Sequence, residues 1–232
     1  MPVATRQHTD APVLLLAHGA GAPMDSDFME AIAQRIAARG MTVARFEFQY
    51  MAARRHGGVK RPPPRIEVLA GEYRAAVAAI RTLSPDAPLL IGGKSMGGRV
   101  ASMIAGDLLG QRQISGCVCL GYPLHPPKKP ASLRTAHLTS MTCPTLIAHG
   151  ERDPLGTRTE FESLTRAGVM SAAIQFAWIR DGDHDLKPRA ASGRSHADNL
   201  DAAADAVSAF VAQLATAHAT TSAKRPKPRL QQ

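Results

Sequence analysis

Cysteine is scarce: three residues, Cys117, Cys119 and Cys143, in a chain of 232. The count is odd and no pair has C-x-x-C or zinc-type spacing, so neither a disulfide framework nor a cysteine metal site is expected. Cys117 and Cys119 lie two apart in ISGCVCLGY. On a strand they share one face and read as small buried hydrophobes. Long apolar runs are also missing. None approaches the roughly 18 residues needed to cross a bilayer, and the first run, residues 13–17, meets His18-Gly19 at once. Neither a membrane span nor a signal peptide is expected, which places the chain in the cytoplasm. None of the nine histidines sits in H-E-x-x-H or a comparable paired spacing, so no metal and no cofactor is expected. No internal repeat is visible.

Acidic charge is short by comparison with basic, 19 residues against 28. The excess is local. Arg54, Arg55, Lys60, Arg61 and Arg65 in MAARRHGGVKRPPPR, with Lys224, Arg225, Lys227 and Arg229 near the end, account for all nine surplus charges. The rest of the chain is balanced, so a nucleic-acid partner is not expected; the terminal KRPKPR lacks interleaved aromatics and any binding fold around it. Residues 218–232 have almost no large apolar side chains to repay the entropy of ordering and are expected to form a basic, disordered tail.

Between an extension at residues 1–11 and that tail, residues 12–217 alternate short apolar runs with longer amphipathic ones. Residues 13–17, 42–48, 88–92, 116–121, 144–148 and 174–179 read as strands, most of them apolar on successive positions as strands covered on both faces should be. Helical stripes follow from spacing: Phe28, Ile32 and Ile36 with a capping-box pair Asp27 and Glu30; Ile66, Leu69, Tyr73, Val77 and Ile80; Val100, Ile104 and Leu108; Leu200, Val207, Phe210, Val211 and Leu214. Such alternation predicts an α/β fold, a mostly parallel sheet of about six strands with helices on both faces.

The stretch GGKSMGGRV (residues 92–100) fits two chemistries. A phosphate loop, G-x-x-x-x-G-K-[ST], needs a glycine at position 88, where Pro88 stands, and residues 88–92 are needed for the strand. A nucleophile elbow, G-x-S-x-G between strand and helix, is satisfied by Gly93, Ser95 and Gly97. A serine hydroxyl needs a histidine to take its proton and an acid to orient that histidine. In this architecture acid and then histidine follow the serine, each after a later strand. HGERDPLG offers Asp153 and RDGDHDLKP offers His184. Asp181, Asp183 and Asp185 flank His184 and are alternative acids, but each would have to fold back on its own turn. Two amides should bind an oxyanion: that of Met96, after the nucleophile, and that of Ala20 in the turn after the first strand, with Gly21 as the alternative.

Four further residues are candidate substrate contacts. Arg54 and Arg55 follow the second strand on the ligand-binding side and would hold a substrate carboxylate or phosphate, unless the loop is simply solvated. Lys94 would add to that field, and His125 would line the pocket mouth. His18 is expected to shape the oxyanion turn, and His149 to be structural.

Taken together, HGAG, GGKSMGGR, GYPLHPPKKP, HGERDPLG and DGDHDLKPR resemble the α/β-hydrolase superfamily, and more narrowly a compact bacterial family similar to dienelactone hydrolases and to the testis-expressed and NSL-complex subunit proteins of animals. The resemblance spans roughly residues 12–215. It implies a cofactor-free serine hydrolase, acting on an ester or thioester of a small substrate that the basic loop would suit if anionic. The subunit roles of distant relatives imply the alternative, a non-catalytic ligand- or partner-binding module. Six strands are two fewer than usual in the superfamily. The segment 122–142, where larger relatives insert a lid, is short and proline-rich, so no substantial lid is expected.

Overall fold

A computed structural model describes residues 11–55 and 57–223, the side chains of 218–223 excepted. Six strands, β1 (Val13–Ala17), β2 (Thr42–Phe46), β3 (Leu89–Lys94), β4 (Gly116–Leu120), β5 (Thr145–Gly150) and β6 (Ile174–Ile179), form one sheet. Their order is β2-β1-β3-β4-β5-β6 and every pairing is parallel. The helices are α1 (Asp27–Ala37), α2 (Gln49–Arg55), α3 (Ile66–Leu83), α4 (Met96–Gly110), α5 (Ala136–Thr139), α6 (Arg158–Arg166) and α7 (His196–Ala223).

The period-two alternation of the strands sorts the core into two layers. Leu15 and Ala17 of β1, with Cys117 and Cys119 of β4, face α3 and α4, whereas Leu14 and Leu16, with Val118 and Leu120, face α1 and α7. β1, β3, β4 and β5 are buried along their whole length. That is why they read as largely apolar runs, while the outer strands β2 and β6 are partly exposed.

Tyr73 of α3 is fully buried, and its hydroxyl joins the adjacent strands β1 and β3. It lies 2.8 Å from the Leu15 carbonyl and 2.6 Å from the Gly92 carbonyl, and it accepts from the Gly92 amide at 2.8 Å. Tyr73→Phe should therefore lower stability by about 1–3 kcal/mol, because buried backbone groups lose their partner while packing is kept. A urea midpoint that moves without a change in m-value would show this.

Several sequence expectations are corrected. The Asp27–Glu30 capping box does not form: the N-cap is Ser26, without a side-chain cap, and Glu30 instead pairs with Arg45 on β2 at 2.6 Å. A capping box occurs at α6, between Thr157 and Glu160. Helices α2, α5 and α6 were not legible, being short and burying one residue each: Met51, Leu138 and Phe161. The residues carrying Arg54 and Arg55 are the last turn of α2 and not a loop. Helix α7 continues to Ala223, past the boundary at 217, and residues 1–10 and 224–232 lie outside the described residues.

Candidate active site

Strands of a parallel sheet all point their carboxyl ends the same way, so the loops after β1, β3, β5 and β6 meet at one edge. Ser95 occupies the turn from β3 to α4 at φ +52° and ψ −114°, a positive-φ conformation that an L-residue adopts only under strain. The turn is tight. A Cβ at Gly93 would overlap the Ala17 carbonyl and the Gly97 backbone, and one at Gly97 would overlap the Ala17 and His18 carbonyls. Glycine is required at both positions because the end of β1 passes directly against the elbow. The Ser95 amide is spent on the Leu120 carbonyl at 2.9 Å. The Met96 amide begins α4, where helical geometry leaves the first N–H groups without intrahelical partners.

The loop after β5 carries Asp153, which is fully buried. Its Oδ1 accepts from the Leu155 amide at 2.8 Å, and its Oδ2 lies 2.7 Å from His184 Nδ1. The opposite ring nitrogen, His184 Nε2, is 2.9 Å from Ser95 Oγ. Burial works against ionisation of Asp153, but hydrogen bonding to His184, the charges of His149 and His184, and the Leu155 amide outweigh it and hold its pKa below the ordinary carboxylate value. The three other acids have different tasks. Asp183 accepts from the Asp185 and Lys187 amides, Asp181 pairs with Arg152 and Arg189, and Asp185 pairs with Lys94. The carboxylate in contact with the imidazole is Asp153.

This chain belongs to the α/β-hydrolase family. A family model described as an alpha/beta hydrolase domain matches residues 10–212. Solved structures of similar architecture include the esterase domain of a Rhodothermus marinus protein, with 16% identity, 91% of this chain and 90% of that one covered, and a TM-score of 0.61. A lidless α/β serine hydrolase from Xanthomonas campestris shows 16% identity, 88% and 84% coverage, and 0.61. A dienelactone hydrolase from Anabaena variabilis shows 17%, 88% and 86%, and 0.61. At these identities the likeness is one of fold.

In this α/β-hydrolase the loop after β1 forms the wall opposite His184. His18 is buried, with Nδ1 2.6 Å from the Gly19 carbonyl and Nε2 accepting from the Phe48 amide at 3.1 Å. Burial lowers its pKa and keeps the ring neutral, so it ties the loop to the end of β2. The Tyr50 hydroxyl donates to the Ala20 carbonyl at 3.0 Å. Ala20, Gly21, Phe28 and Met29 line a cleft of about 320 Å³ that also contains Ser95, His184 and Lys94. His149, buried between Phe161 and Trp178, lies 2.6 Å from the Gly156 carbonyl and 3.6 Å from Asp153. Among the described residues, no group of three or more histidines, cysteines and carboxylates could hold a metal ion. Nor is any described helix long and apolar enough to cross a membrane.

Arg54, Arg55 and His125 are not among the residues that line this cleft. Arg55 is held by Asp25 and Glu47, Arg54 lies over the Tyr50 ring and bonds the Arg61 carbonyl, and His125 is buried against Glu160 and the Pro126 carbonyl. Only Lys94 reaches the cleft, and not as a free cation. Its ammonium donates to the His184 carbonyl at 2.5 Å, pairs with Asp185 at 3.2 Å and sits 5.2 Å from the centre of the Phe28 ring. Burial lowers its pKa, with Asp185 and Asp153 opposing. Sequence reasoning missed this tie between the residue before Ser95 and the main chain of His184, because the two lie 90 positions apart. Lys94→Met should cost about tenfold to a hundredfold in kcat/KM on p-nitrophenyl acetate, since releasing the His184 loop misplaces the ring by a fraction of an ångström or more. An unchanged circular dichroism spectrum would separate that loss from unfolding.

Proposed function

We propose that this α/β-hydrolase is a serine hydrolase that cleaves an ester or thioester bond of a small substrate through an acyl-enzyme on Ser95. One observation carries the proposal: the unbroken hydrogen-bond chain from Ser95 Oγ through His184 to the buried carboxylate of Asp153. It joins three loops far apart in sequence, and its donor and acceptor order is the one that base-assisted attack requires. As Ser95 Oγ bonds the acyl carbon, its proton passes to His184 Nε2, and Asp153 stabilises the imidazolium through the Nδ1–H bond. The carbonyl electrons move onto oxygen, facing the Met96 and Ala20 amides. When the oxyanion collapses, the departing alkoxide or thiolate takes the proton from His184. Water then attacks the acyl-enzyme with His184 as base, releasing the acid and restoring Ser95.

A fluorophosphonate probe tests the reading. The expected adduct maps to Ser95 by peptide mass spectrometry and is absent from Ser95→Ala. A folded protein that takes up no label would overturn the mechanism and favour the non-catalytic binding module.

A further inference from the structure

Resting on that hydrolase reading, we propose that Arg99 and Arg134 form an anion subsite beside Ser95 that receives a carboxylate carried by the substrate. Of the half-buried arginines among the described residues, these two are the ones whose guanidinium bonds neither a carboxylate nor a carbonyl oxygen. Arg35, Arg54 and Arg81 reach backbone carbonyls, Arg194 reaches the Asn199 side-chain carbonyl, and Arg39, Arg45, Arg74 and Arg152 reach acids. The Arg99 Nε is closed off from solvent and has no hydrogen-bond partner. A buried donor left this way is destabilising, a cost that a bound anion would offset.

The two side chains belong to one cluster. Arg99 lies one turn into α4, its amide bonded to the Ser95 carbonyl at 3.0 Å. Helical side chains tilt toward the N-terminus, which directs this guanidinium back toward the elbow. Arg134 lies in the loop after β4. Its amide donates to the Leu124 carbonyl at 2.8 Å, and its carbonyl accepts from the Tyr122 hydroxyl at 2.7 Å, so its backbone is anchored while its guanidinium is not. His137 and Ser102 complete the cluster, 2.9 Å apart, with the Ser102 hydroxyl also donating to the Arg99 carbonyl at 2.8 Å.

The electrostatics agree. Burial and then the charge of Arg99 lower the pKa of Arg134, and the same two causes bring His137 down to about 4; no carboxylate acts on either group. At neutral pH His137 is uncharged, and the charge of Arg99 acts on Arg134 with the Tyr122 hydroxyl beside both and no carboxylate to balance them. Two planar forks suit a carboxylate, which accepts paired N–H bonds.

The placement also explains why the cleft lined by Ala20, Phe28 and Met29 contains no free cation. That cleft lies on the β1 side of Ser95, whereas β4 and its loop lie on the opposite side of β3. A substrate spanning the elbow would put one arm in the cleft and its carboxylate between Arg99 and Arg134. The basic segment around Arg54 and Arg55, whose Arg55 is already neutralised by two acids, is not needed for anion recognition.

The test compares kcat/KM for the mono-p-nitrophenyl ester of adipate with that for p-nitrophenyl hexanoate, in the wild type, Arg99→Gln, Arg134→Gln and Arg99→Lys. Wild type should prefer the adipate ester. Each glutamine variant should lower the ratio of the two rates by about ten- to a hundredfold, the size of a lost charge-assisted hydrogen bond, and Arg99→Lys should retain part of it. Equal rates in the wild type, or a ratio unchanged in both folded glutamine variants, would overturn the subsite. Calorimetric titration with adipate itself separates the two readings. Binding that both glutamine variants lose, in a protein that neither labels nor turns over ester, sustains the subsite and removes the hydrolase. Labelling and turnover without discrimination between the two esters do the reverse.

Discussion

Ser95→Ala is expected to lower kcat on p-nitrophenyl esters by about 10⁴-fold or more while leaving the fold intact. The Oγ removed has His184 Nε2 as its hydrogen-bond partner, whereas the elbow itself is held by the Ser95 amide on Leu120 and by the close approach of β1 to Gly93 and Gly97. None of these depends on the hydroxyl, so thermal unfolding should move little. The strain at φ +52° is the same for alanine as for serine. In the proposed mechanism Ser95 and His184 act as one unit, so the double variant Ser95→Ala, His184→Ala should be scarcely slower than either single one. On that proposal, whatever rate persists above the uncatalysed reaction comes from the cleft and from the Met96 and Ala20 amides. Single-turnover kinetics on the three variants measures this, and wild-type turnover in Ser95→Ala would remove Ser95 from the mechanism.

Asp153→Asn should have an effect of similar size, about 10⁴-fold in kcat at neutral pH. The carboxylate accepts from His184 Nδ1–H at 2.7 Å and from the Leu155 amide at 2.8 Å. An asparagine that keeps the Leu155 bond turns its NH₂ toward Nδ1. The imidazole must then carry its proton on Nε2, where it faces the Ser95 hydroxyl and can no longer accept from it. The charge matters as well as the geometry. Since the folded pKa of Asp153 lies below its ordinary value, its ionisation favours the folded state above that ordinary value, and this contribution is lost as pH falls through the lowered one. Denaturant midpoints for wild type and Asp153→Asn should therefore differ by a constant amount near neutrality and converge in acid. Asp181→Asn, by contrast, touches only the Arg152 and Arg189 pairs and should change kcat by no more than a few fold, checked in the same assay. A large loss there with none in Asp153→Asn would exchange the two assignments.

Six strands and four of the helices were legible in the sequence because they bury a face, and a buried face leaves a period. The four inner strands, apolar at most positions, also announced a parallel sheet covered on both sides. Helices α2, α5 and α6 left no such trace, since one buried residue makes no stripe. Ser95 could be picked out from Gly93 and Gly97, whose absent side chains answer to a collision that only a strand-to-helix elbow creates. Asp153 and His184 could be picked out from their positions after later strands. The substrate contacts were the weakest part. Arg54 and Arg55 drew attention because basic residues cluster there without intervening acids, yet Arg55 pairs with Glu47, eight residues earlier, and with Asp25, thirty residues earlier.

By itself, then, the chain determined its sheet, its elbow and the candidates for the hydrogen-bond relay, because periodicity, glycine placement and the order of loops are local properties. Only the tertiary structure decided which charges are free. Whether a cation is spent or available depends on partners brought in from elsewhere in the chain. Lys94 is committed to the His184 loop, Arg55 to two acids, and Arg99 and Arg134 to neither a carboxylate nor a carbonyl. Coulomb attraction and desolvation act through space, and linear sequence does not record those distances.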